Sequence, residues 1–93
     1  MIYLLLNFLQ IIFTDQHYKK IEGKFCIDTY DSFSNLTAAE NECSQHVMCK
    51  GVNDQKCDGS EFRLCLIGYE YSDASSFLQC AVYDKKGIIY SFL

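Results

Sequence analysis

Hydrophobic and polar positions divide this chain into an uncharged apolar run at its start and a longer stretch of short alternating segments around one helical pattern. In the run, Ile2, Leu4, Leu5, Leu6, Phe8, Leu9, Ile11, Ile12 and Phe13 are interrupted only by Tyr3, Asn7 and Gln10. A membrane-spanning helix needs about 20 apolar residues, whereas roughly 7 to 15 suit the apolar region of a signal peptide. Residues 1–14 therefore read as a signal peptide cut near the Thr14–Asp15 step, although no Lys or Arg precedes the run and Ile12 is larger than a cleavage site prefers. A buried N-terminal strand or helix is the alternative reading.

Beyond this run, Phe25 to Tyr30 mixes residues that suit a pleated, half-buried surface and predicts a first strand, which Asp31 to Asn35 breaks. Thr37-Ala38-Ala39-Glu40 is a capping box, in which the Thr37 hydroxyl accepts from the Glu40 amide and the Glu40 carboxylate from the Thr37 amide. The helix it starts carries Ala39, Cys43 and Val47 on one inward stripe and ends at Lys50 and Gly51. Short strands are expected at Gly51 to Asp54, at Glu61 to Ile67 after an Asp58-Gly59 turn, and at Gln79 to Tyr83. Gly68 to Ser76 reads as loop, Asp84-Lys85-Lys86-Gly87 as a turn, and Ile88 to Leu93 as a tail or returning strand. The sum is an α+β fold: one helix packed on a small antiparallel sheet, with a domain over residues 22–87 and a tail over 88–93.

Ninety-three residues bound this to one small domain whose core needs reinforcement, and six cysteines supply the means. Twelve acidic against eight basic residues leave a net charge of −4, the wrong sign for a phosphate backbone, so nucleic acid is excluded as a partner. No C-x-x-C occurs, which argues against structural zinc. His46 lies on the same helix as Cys43 at the spacing of mere neighbours, and no Ser-His-Asp set or Gly-rich phosphate loop is present. The chain is expected to be no enzyme and to need no metal or cofactor.

Cys26, Cys43, Cys49, Cys57, Cys65 and Cys80 are separated by 16, 5, 7, 7 and 14 residues, and six cysteines allow fifteen pairings. The near-symmetry of the intervals suggests a nested set: Cys49 with Cys57, Cys43 with Cys65, and Cys26 with Cys80. In that set the Cys43–Cys65 bridge ties helix to sheet and is the one whose loss should hurt most.

The helix Ala38-Ala39-Glu40-Asn41-Glu42-Cys43, then Cys49-Lys50-Gly51-Val52-Asn53-Asp54, then Cys57 and Phe62-Arg63-Leu64-Cys65-Leu66, resemble the PAN/apple family of extracellular modules over Phe25 to about Lys85. The resemblance implies a helix cradled by an antiparallel sheet, two disulfides from helix to sheet, and in apple members a third between the termini. It thus implies the same nested pairing, and binding of proteins or glycans instead of catalysis. Cys57-Asp58-Gly59-Ser60-Glu61 is also similar to the calcium loop of LDL-receptor class A modules. Phe62 stands where that loop needs a ligand, so calcium at Asn53, Asp54, Asp58 and Glu61 is a weaker reading than a turn of solvated acids.

A bridge from Cys26 to Cys80 sets Lys20 across from Lys86 and Ile21 across from Lys85, gathering Lys19, Lys20, Lys24, Lys85 and Lys86 into a basic patch able to take a sulfated glycan. Tyr69 and Tyr71 offer flat faces to a sugar or a protein. Asn35-Leu36-Thr37 is an N-glycosylation sequon. Together these readings describe a secreted module that binds an extracellular protein or a carbohydrate and does not span a membrane. It belongs either to a longer mosaic protein or, as the alternative, to a free-standing disulfide-rich effector of toxin-like or inhibitor-like kind.

Overall fold

The computed structural model describes residues 17–75 and 78–86. Along them run β1 (His17–Glu22), β2 (Lys24–Phe25), β3 (Thr29–Phe33), α1 (Leu36–Gln45), β4 (Cys49–Asp54), β5 (Phe62–Leu66), β6 (Ser72–Asp73) and β7 (Ala81–Lys86). Five strands form one antiparallel sheet in the order β1-β7-β4-β5-β3, and β2 pairs with β6 in a two-stranded ribbon. The α+β architecture of one helix on a small antiparallel sheet is therefore the one observed. The expected signal peptide, residues 1–14, and the tail, residues 88–93, lie outside the described residues.

Alternation along the central strands decides which face is covered by what. Val52 lies opposite Leu64 on β5 and Tyr83 on β7, so the three side chains share one face under α1. Ala39 and Cys43, four residues apart on α1, meet that face, and with Cys49, Val52, Phe62 and Leu64 they form the main core. The Tyr18 hydroxyl donates to the Glu40 carbonyl at 2.9 Å and lies 2.7 Å from the Ser44 hydroxyl, which fastens edge strand β1 to the helix. On the opposite face Cys26, Cys65 and Val82 make a smaller cluster, with Ile21 and Tyr71 packed against it.

Several local expectations change. Asn35, extended at φ −134° and ψ 129°, is the N-cap, and its Oδ1 accepts from the Ala38 N–H at 3.0 Å. Thr37 is thus the second helical residue, and no capping box forms with Glu40. The helix ends at Gln45, where the His46 N–H donates to the Cys43 carbonyl at 3.2 Å. Only three residues connect it to β4, so Val47 leaves the inward stripe and stands 86% exposed.

The expected Phe25–Tyr30 strand is split, because Lys24–Phe25 pairs with β6 while Thr29 starts β3 at the far edge of the sheet. Asp31 adopts φ 57° at the bulge between Tyr30 and Ser32, which lets β3 continue to Phe33 instead of breaking. Asp84 to Lys86, expected as a turn, pair with Lys19, Tyr18 and His17 in β7. Among the described residues the sheet already includes His17, ahead of the 22–87 range read from the pattern.

The cysteines pair as Cys26–Cys65, Cys43–Cys49 and Cys57–Cys80, so the nested set is corrected in all three bridges. Strand order is the cause. Because β3 pairs with β5, with Thr29 opposite Cys65, Cys26 at the approach to β3 lies beside Cys65 and not beside Cys80. Because β4 pairs antiparallel with β7, with Asn53 opposite Val82, the loop after β4 that carries Cys57 meets Cys80 just before β7. Cys43 in the last turn of α1 needs only the short helix exit to reach Cys49. The β1–β7 register sets His17, not Lys20, opposite Lys86, since the Cys26–Cys80 bridge that defined the expected register does not form.

Candidate functional site

Four of the five lysines of the expected basic patch have internal partners. Lys24 bonds Asp73 at 2.5 Å, Lys86 bonds Asp84 at 3.0 Å, and Lys19 faces Asp84 across the ladder. Lys20 holds its ammonium 6.0 Å from the Tyr83 ring centre. Lys85 points under the helix exit and donates to the carbonyls of Cys43, His46 and Cys49 at 2.8, 3.1 and 3.3 Å. Helix ends leave carbonyls such as those of Cys43 and His46 without intrahelical partners, so this lysine serves as their cap and ties them to the first residue of β4. Burial lowers its pKa.

Tyr69 and Tyr71 part company. Tyr69 is exposed, whereas the Tyr71 hydroxyl donates to Asp84 at 2.5 Å and the Lys50 ammonium sits 4.2 Å from the Tyr71 ring centre. Burial, then the hydrogen bond to Asp84 and its charge, push the Tyr71 phenol far up. Gly51 makes room for this packing, because a Cβ there would meet the Tyr71 hydroxyl and the Tyr83 carbonyl, each at 2.7 Å.

The acids weighed for calcium are also occupied. Asn53 accepts from the Cys26 N–H, Asp54 from the Gly59 N–H through both oxygens, Asp58 from Ser60, and Glu61 from the Ser32 hydroxyl. Among the described residues no group of three or more His, Cys, Asp or Glu could hold a metal ion.

The feature that stands open is a groove of about 450 Å³ where α1 exits and β3 begins. Val47, Met48 and Leu66 form its apolar side, and Asp28, Tyr30 and His46 its polar side. The Cys43–Cys49 bridge and the Lys85 cap hold the short connection that presents Val47 and Met48. His46 stacks on Tyr30 with ring centres 6.4 Å apart, and its Nε2 lies 2.9 Å from a Glu42 carboxylate oxygen. The Tyr30 hydroxyl is buried with no hydrogen-bond partner among the described residues, and burial, followed by Asp31 and Glu42, raises its pKa.

Hydrogen bonds from Leu66 to the Asp28 carbonyl, 3.2 Å, and from Ile67 to the Met48 carbonyl, 2.9 Å, knit the groove walls together, and exposed Ile27 and Ile67 are the chain neighbours of the lining residues Asp28 and Leu66. A smaller cleft lined by Ile27, Tyr69 and Glu70 adjoins it through Asp28 and Leu66. Among the described residues neither the Asp28 nor the Glu70 carboxylate has an ion-pair or hydrogen-bond partner. The sequence reading named only Tyr69 at this end of the molecule, since it placed Val47 inward and assigned Met48 and Ile27 no role. The available signal was the triplet His46-Val47-Met48 between two cysteines, too short to hide its own side chains.

Among the described residues no helix is long and apolar enough to cross a membrane. Comparison with protein-family models, curated proteins and solved structures finds no match to this chain.

Proposed function

We propose that this chain is an extracellular, PAN/apple-like recognition module and that it binds a protein partner through the groove at the exit of α1. The carrying observation is the gathering of large exposed side chains there: Val47, Met48 at 50% and Ile27 at 65% exposure, with Ile67 and Tyr69 beside them. Contiguous apolar surface of this kind on a small protein marks an interaction site. Three disulfides suit an oxidising compartment, and a helix on an antiparallel sheet suits the PAN/apple reading. The bridge pattern departs from that family, since Cys43–Cys49 alone ties helix to sheet.

Charge defines the occupant. Asp28 and Glu70 offer carboxylates unpaired among the described residues beside the apolar strip, while the Lys50 and Lys85 ammonium groups are spent on carbonyls and a ring. The partner that fits is an extended protein segment with a Lys or Arg between apolar side chains, its stem on Met48 and Leu66 and its head at Asp28. A sulfated glycan fits less well, because four of the five lysines meant for it are engaged elsewhere.

The test uses synthetic apolar peptides with a central Lys, Gln or Glu, titrated against the oxidised full chain. Lys peptides should bind about tenfold tighter than Glu peptides, a difference worth about 1.4 kcal/mol. Asp28→Asn should remove most of that preference, and Val47→Asp should abolish binding while the fold, monitored by circular dichroism, persists. Equal binding of Lys and Glu peptides, or full binding by folded Val47→Asp, overturns the proposal. Self-association of the chain that Val47→Asp abolishes would assign the groove to a second copy.

A further inference from the structure

We infer that Asn35 is N-glycosylated and that the same side-chain amide caps α1, its oxygen serving the helix and its nitrogen carrying the sugar. The inference rests on the extracellular reading above but on none of the residues of the groove. Asn35-Leu36-Thr37 supplies the sequon, and both Asn35 and Thr37 are exposed. The side-chain Oδ1 of Asn35 accepts from the Ala38 N–H at 3.0 Å, and its backbone carbonyl accepts from the Ala39 N–H at 3.1 Å. Nδ2, the atom that a glycan occupies, donates no hydrogen bond among the described residues, and the Thr37 hydroxyl is likewise uncommitted there. Helix and sugar therefore draw on different atoms of one group.

Transfer would take place on the extended chain, before the cap forms. The Nδ2–C1 bond forms as the C1–O bond of a lipid-linked oligosaccharyl pyrophosphate breaks; the pyrophosphate leaves with the electron pair and one amide proton is released. Folding then closes the Oδ1 cap beside the attached sugar.

The location has two consequences. Asn35 starts a ten-residue helix whose exit forms the groove, so about 15 Å of helix separates sugar from groove and leaves the latter accessible. Asn35 also follows Phe33, the last residue of edge strand β3, by two positions. A bulky sugar there hinders pairing of that edge with another chain, adding to the bulge at Asp31.

The experiment expresses the full chain behind an added secretion leader in a eukaryotic host and compares intact masses before and after N-glycosidase. Wild type should lose mass, and Thr37→Ala and Asn35→Asp should not. Asn35→Asp retains an acceptor oxygen at the cap, and the glycosidase itself converts the glycosylated Asn to Asp. Both forms should therefore melt together, whereas Asn35→Ala should melt about 4–8 °C lower. Secreted, oxidised wild type with no mass loss, or a loss that survives Thr37→Ala, overturns the glycan. Equal melting of Asn35→Ala and Asn35→Asp overturns the shared cap. Secreted, oxidised wild type that shows no mass loss yet still binds the peptides would refute this inference and leave the groove proposal standing.

Discussion

On one face of the sheet α1 lays Ala39 and Cys43 against Val52, Phe62 and Leu64, while on the other, among the described residues, β2, β6 and their flanking segments cover only Cys65, Val82 and partly buried Ile21. The helix face is closed by apolar packing, and its bridge, Cys43–Cys49, spans just six positions. The opposite face is closed by specific links: the Cys26–Cys65 bridge across 39 positions, the Tyr71–Asp84 hydrogen bond, the Lys24–Asp73 pair and the Asn53 acceptor for Cys26. A small domain with one helix cannot bury two full apolar faces, so its second face depends on covalent and polar ties. Loss of a single tie should therefore release more structure on the β2–β6 side than on the helix side.

Paired replacement of Cys26 and Cys65 by Ser should have the largest effect, about 4 kcal/mol on the chain-entropy model, against about 2.4 kcal/mol for the Cys43/Cys49 pair. Thermal unfolding of the two double variants measures this, and a greater loss from the short bridge would break the comparison. Leu64→Ala, at a side chain with no solvent exposure under α1, should cost about 3 kcal/mol in denaturant titration.

Gly51→Ala tests the β2–β6 side from beneath. The added methyl would displace Tyr71 or press on the Tyr83 carbonyl, so a loss of about 2 kcal/mol is expected, together with faster hydrogen exchange along β6. Retained wild-type stability would mean that Tyr71 does not seal that face.

Tyr71→Phe should cost about 1.5 kcal/mol at neutral pH, because it removes a hydrogen bond to a carboxylate. It also carries a pH signature. The folded phenol holds its proton above the ordinary value near 10, where the unfolded chain releases it. Its contribution is thus present below about pH 10 and lost as pH rises beyond it, and the Phe variant should lose less stability across that range. The smallest effect is a gain: Tyr30→Phe removes a buried hydroxyl without a partner and should add up to about 1 kcal/mol, read as a higher denaturation midpoint. A loss there would assign that hydroxyl a partner in solution.

The strands of the helix face were legible because Val52, Phe62 and Leu64 follow the two-residue period and Ala39 and Cys43 the helical one. β1 was not, since His17–Glu22 alternates partly covered Tyr18 and Ile21 with four exposed residues at no fixed period. β2 and β6, of two residues each, are too short to express a period at all. The groove escaped for a related reason: Val47 continues the helical stripe in sequence, and only the chain's return at His46 turns it outward.

What the sequence by itself determined is local in origin: a helix that begins near Leu36, strands at Val52 and Leu64, a turn at Gly59, and cysteines too numerous for so small a core to leave unpaired. Each follows from periodicity, capping chemistry or composition, which act over a few residues or over the whole chain. Which cysteines pair, which lysines stay available and where the groove opens were decided by the placement of β3 at the far edge beside β5 and of β7 between β1 and β4. That order brings Cys26 to Cys65, Cys80 to Cys57 and Lys85 to the carbonyls of the helix exit. Contacts between residues more than twenty positions apart depend on which strands become neighbours, and no spacing along the chain encodes that choice.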